Sequence, residues 1–105
     1  MSMIDNFEKM LAAGQDSPLL RYSLGLEYGK TGDHARAAEH LRRAVEQDPG
    51  YSAAWKQLGG ALAETGDTAD AAAAYEKGIE AAEEKGDKQA AREMRVFLKR
   101  LRNRN

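Results

Sequence analysis

The chain has 105 residues, 42% apolar and 31% charged, with a net charge of −1, a balance typical of one small folded domain. It contains no cysteine, which excludes disulfides, a thiolate nucleophile and a cysteine-based zinc site. No apolar run approaches the ~18 residues of a membrane span, and the start "MSMIDNFEKMLAAG" lacks the pattern of a secretory leader, so the expected compartment is the cytoplasm.

Alanine is abundant while Val, Ile and Thr are few, which favours helix over strand. The first helix is expected over 3–14, with Met3, Phe7 and Met10, joined by Ile4 and Leu11, on one face, Ser2 as cap and Gly14 as stop. Ser17-Pro18 opens the second, because serine accepts from the first free amides and proline fits the first helical position. Leu20, Leu24 and Tyr28 lie four apart on its inner face. Gly32 ends it and Asp33 caps the third helix, whose apolar stripe is Ala37, Ala38, Leu41, Ala44 and Val45. Pro49 stops that helix. A fourth helix carries Ala54, Trp55, Leu58 and Leu62, and Gly66-Asp67 turns into a fifth carrying Ala71, Ala72, Tyr75 and Ile79. Gly86-Asp87 opens a sixth over 87–103, with Ala91, Met94, Phe97, Leu98 and Leu101 on one side and cations on the other. Six helices and no strand make an all-α protein.

The second and third helices repeat as the fourth and fifth. "LGLEYGKTGD" at 24–33 returns as "LGGALAETGD" at 58–67, an offset of 34 residues. The shared letters cluster at Leu-Gly, Thr-Gly-Asp and small alanines, as in stacked repeats. The spacings Trp55-x2-Leu58-Gly59 with Ala71-x3-Tyr75, and Leu24-Gly25-x2-Tyr28 with Ala37-x3-Leu41 and Pro49, resemble tetratricopeptide (TPR) repeats. Arg21 replaces the signature aromatic in the first copy, and Glu83 replaces the closing proline in the second, so the fifth helix is expected to run to about Lys85. Gly25 and Gly59 leave room for a close helix approach, with the small Ala37, Ala44, Ala71 and Gly78 expected opposite.

The resemblance implies a right-handed superhelical stack of antiparallel helix pairs. It implies one TPR domain over 1–105, with repeats at 18–51 and 52–85, an N-terminal helix and a C-terminal capping helix. It also implies a concave, non-catalytic groove that binds a peptide or helix of a partner protein. Carried over residue by residue, that groove holds Leu19, Tyr22, Leu26, Lys30, Lys56, Gly60, Arg92 and Lys99. Packing against the N-terminal helix is the competing explanation for Leu19, Tyr22 and Leu26. Some TPR domains clamp a chaperone-tail carboxylate, but Tyr22, Leu26, Gln57 and Gln89 stand at most of the clamp positions here, so that ligand is not carried over.

Residues 92–105 hold six cations and one acid, a local balance of +5 against −6 for residues 1–91. This basic end reads as the wet face of a cap helix or as one wall of a site for an acidic and apolar segment. The shortage of aromatics among the cations argues against single-stranded nucleic acid. His34 and His40 face different ways on their helix and read as surface residues. No metal, cofactor or catalytic motif is found. A monomer is expected, with self-assembly through the groove or the last helix as the alternative.

Overall fold

The six helices form where the apolar spacing places them. A computed structural model describes residues 2–104 as α1 (Met3–Ala12), α2 (Pro18–Lys30), α3 (His34–Gln47), α4 (Ser52–Glu64), α5 (Thr68–Glu84) and α6 (Lys88–Arg102). No strand occurs among the described residues. The start signals act as expected at four helices. Oγ of Ser2 and Ser17 accepts from the amides of Asp5 and Leu20, and a carboxylate oxygen of Asp33 and Asp87 accepts from Arg36 and Ala90. Asp67 departs from this pattern: its carboxylate accepts from Thr65 Oγ1 at 2.8 Å and caps nothing.

The stops share one geometry. Gly32 and Gly66 have φ of 84° and 86°, which a side chain would resist. The amides after them, on Asp33 and Asp67, reach back to the carbonyls of Tyr28 and Leu62 at 3.0 and 2.9 Å. Each closing pair satisfies carbonyls that the helix end leaves free. Without a proline at position 83, α5 extends to 17 residues against 14 for α3.

Packing follows from the glycines. A Cβ on Gly25 would lie 2.4 Å from Leu41 Cγ, and one on Gly59 would lie 2.6 Å from the Tyr75 ring. The nearest atoms opposite these glycines therefore belong to the large residues of α3 and α5, not to the alanines expected there. A leucine or a tyrosine seats directly on bare backbone, so each pair buries a large side chain at short axial distance. Gly78 does a different job: its missing Cβ leaves space for Met94 and Trp55, which ties α5 to α6 and α4. Leu24, Leu41, Leu58 and Met94 are fully buried.

α2 pairs with α3 and α4 with α5, while α3–α4 and α5–α6 contacts join the pairs and α1 lies on α2. α2 touches α4 and α4 touches α6, whereas no Cα of α3 lies within 8 Å of α5. The first helices of the pairs are thus set close and the second helices are splayed. This difference curves the stack, with α2, α4 and α6 on the concave side.

Gly59→Ala is expected to lower stability by about 1 kcal/mol or more in urea unfolding, because overpacking against the Tyr75 ring exceeds the gain in helix propensity. Adding Tyr75→Leu restores part of the loss.

Candidate protein-interaction groove

The concave layer carries a slot between α2 and α4, floored by Ala37 and Leu41 of α3, with a volume of about 440 Å³. Leu26, Lys30 and Gly60, three of the residues assigned from the repeat register, line it. Gly29 and Gly60 present backbone to the slot where side chains would stand. Gln57, Glu64 and His34 complete its rim.

The other assigned residues lie elsewhere. Leu19 is 65% exposed at the start of α2, so α1 does not cover it. Tyr22 is half-buried against Tyr51, with ring centroids 5.0 Å apart, and so bridges α2 to the turn before α4. Lys56 donates to Glu93 at 3.1 Å and joins α4 to α6. Lys30 is paired with Glu27 at 2.9 Å within its own helix. Two of the groove cations are thus already neutralised inside the fold. Arg92 borders a separate recess with Glu83, Lys88 and Arg95 at the α5–α6 turn. Arg92 and Lys99 are exposed and have no ion pair among the described residues. Other cations of α6 are held by α5: Arg95 by Glu83, and Arg102 by Glu76 at 3.1 Å.

No group of three metal-ligating side chains occurs among the described residues, and none of their helices is long and apolar enough to cross a membrane. Residues 22–85 match the tetratricopeptide repeat pattern. The chain belongs to the tetratricopeptide repeat family. A TPR repeat-containing protein of Pseudomonas aeruginosa is 57% identical over 99 residues, covering 94% of each chain. The solution structure of a Bordetella parapertussis protein matches with a TM-score of 0.81 at 44% identity, over 96% of this chain and 88% of that one. The Sgt2 TPR domain of Aspergillus fumigatus matches with a TM-score of 0.79 at 36% identity, over 92% of this chain and 64% of that one. A heat-shock cognate co-chaperone of the same fungus is 38% identical over 78 residues, which is 74% of this chain but 23% of that protein. A TPR unit of this kind is a protein–protein interaction module.

Within that TPR frame, the departure at Arg21 has a physical reason. Its guanidinium donates twice to Asp16, from Nε at 2.8 Å and from Nη2 at 2.9 Å. Gln47 donates to the same carboxylate at 3.0 Å. Nη1 of Arg21 lies 3.1 Å from His40 Nδ1. Arginine has no acceptor, so Nδ1 must accept and the imidazole proton sits on Nε2. That nitrogen faces Glu8 Oε1 of α1 at 3.7 Å, and the ring stacks flat on Tyr28 at 5.5 Å. A polar system thus stands where the second repeat places Trp55. It joins α1, the α1–α2 turn, α2 and α3.

This corrects the surface reading of the histidines. The His40 side chain is only 13% exposed, and His34 is half-buried at the slot rim. Nothing in the linear spacing joins residue 21 to residue 40; the available signal was an arginine standing at position 21 where the repeat signature has an aromatic. The hydrogen bonds from Arg21 and then Gln47 hold the Asp16 carboxyl well below the usual range. The same pairing raises the Arg21 pKa. Burial pushes the His40 pKa down, with Arg21 adding to the effect and Glu8 opposing it.

The two shifts act in separate pH windows. A folded His40 pKa below the ordinary 6.5 means that the unfolded chain binds the proton better. Its stabilisation is complete above pH 6.5 and is lost as pH falls toward the folded pKa. The Asp16 contribution is present above 3.8 and is lost only as pH falls through its lowered folded pKa. Thermal melts across pH should show stability declining as pH falls below about 6.5, and His40→Gln should flatten the onset of that decline while leaving the acid limb below about pH 4.

Proposed function

We propose that the concave face of α2, α4 and α6 binds a segment of another protein in extended or helical form. The observation that carries this reading is the slot between α2 and α4, framed by Leu26, Lys30 and Gly60 on the close-set layer. Apolar Leu19 and Val96, 65% and 43% exposed, stand on the same helices and supply further contact area. Arg92 and Lys99 add positive charge without internal partners, so the favoured segment combines apolar with acidic residues. Tyr22 serves as a rigid aromatic wall, steadied by Tyr51. The partner contacts assigned to Leu19, Tyr22, Leu26, Lys30, Lys56, Gly60, Arg92 and Lys99 belong to this proposal.

The protein acts in this reading as a monomer. Aligned on Ala91, Met94 and Leu98, α6 carries Arg95 at the register position of Gly25 and Gly59. Those glycines accept Leu41 and Tyr75 on bare backbone, whereas a guanidinium held by Glu83 obstructs the same seat. A further helix from a second copy therefore meets charge and bulk on α6.

Partners recovered by pull-down and identified by mass spectrometry supply the ligand for calorimetry. Tyr22→Ala should weaken binding by about ten-fold, the usual loss on truncating an aromatic anchor. Lys56→Glu sets a second carboxylate against Glu93 and should also weaken it. If both variants fold as the wild type does and bind with unchanged affinity, the groove reading fails. Light scattering over a dilution series should return one concentration-independent monomer mass.

A further inference from the structure

The ten glycines sort by physical cause, and two of them lack one inside the fold. Gly14, Gly32, Gly66 and Gly86 have positive φ at helix stops. Gly25, Gly59 and Gly78 are in contacts too close for a Cβ. Gly50 lies in the turn between α3 and α4 and donates to Asp48. Gly29 and Gly60 remain. Both lie within helices and neither has positive φ. A Cβ on Gly29 would meet nothing within 4 Å, and one on Gly60 would meet only Tyr75 Oη at 3.8 Å, an ordinary contact. Glycine weakens a helix relative to alanine, so each is a sacrifice of stability that no internal contact requires.

Both glycines line the same cavity, the slot of about 440 Å³ between α2 and α4. That volume is within the ~300–1,000 Å³ range of ligand pockets. The floor is apolar, made by Ala37 and Leu41. The charge at the rim is unbalanced. Lys30 is neutralised by Glu27, whereas Glu64 is exposed and has no ion pair among the described residues.

We infer that the slot receives one large apolar side chain of the partner segment, of leucine, methionine or phenylalanine size, with a basic residue beside it paired to Glu64. The glycines at 29 and 60 let the partner's backbone come close enough to insert that side chain to the floor. This inference rests on the groove reading and narrows it to a site of defined chemistry. It also orders the segment: the apolar anchor and its basic neighbour lie at α2–α4, and the acidic stretch lies toward α6.

A random-peptide phage library panned on the wild-type protein supplies the probe. The expected result is enrichment of peptides with one apolar anchor next to Lys or Arg. Synthetic copies of an enriched peptide should lose about ten-fold in affinity when the anchor becomes Ala, and a similar amount against Gly60→Leu. Gly29→Ala and Gly60→Ala should each raise Tm by a few degrees, about 3–8 °C, while weakening the same peptide. A fall in Tm in either alanine variant overturns the inference, because the glycine is then structural. Peptides that bind the alanine variants and Gly60→Leu unchanged, but lose affinity for Tyr22→Ala, overturn the slot and leave the groove standing. Peptides indifferent to all of these substitutions overturn both. A library yielding no apolar-anchored binder also overturns the slot.

Discussion

The structure depends on bare helical backbone at Gly25 and Gly59. Leu41 and Tyr75 rest there at distances that no Cβ would permit. Each contact brings two helices of a pair together and turns a weakly amphipathic segment into half of a core. Because the contact recurs at the repeat offset, the two pairs are built alike and stack alike. Gly78 seats α5 against α6 and α4 in the same way, and the first helices α2, α4 and α6 lie on the concave face.

The two ends of the stack solve the exposed-face problem by different chemistry. At the first repeat, a hydrogen-bonded system of Asp16, Arg21, His40 and Gln47 stands where the second repeat has an indole. It ties the α1–α2 turn to α2 and α3, while α1, which has no fully buried residue, packs on the core through the partly buried Ile4, Phe7 and Leu11. At the other end α6 buries Ala91, Met94, Leu98 and Leu101, and turns cations outward. Glu76 and Glu83 hold two of those cations against α5.

The functional reading rests on what the groove leaves unpaired. Lys30 and Lys56 are matched by Glu27 and Glu93, so their charge serves the fold first. Arg92, Lys99 and Glu64 are among the charges of the concave layer that have no ion pair among the described residues. Beside Glu64, between α2 and α4, lies a slot with an apolar floor, kept open by Gly29 and Gly60. Complementarity of this kind sets specificity and register in protein recognition more than it sets raw affinity.

The sequence by itself determined the helices, their stops and the repeat. Ser17-Pro18, Gly32-Asp33 and the four-residue spacing of Leu20, Leu24 and Tyr28 act over one or two turns, so their physics is local and readable in order. The longer α5 followed from a missing proline for the same reason. What sat opposite Gly25 and Gly59, the pairing of Lys56 with Glu93, and the wiring of His40 to Arg21 were decided only by the tertiary structure. These contacts join residues 16 to 37 positions apart. Their partners are chosen by how whole helices stack, and linear spacing carries no record of that choice. The same holds for the slot, since Gly29 and Gly60 look like two more helix-packing glycines until the empty space beside each of them is seen.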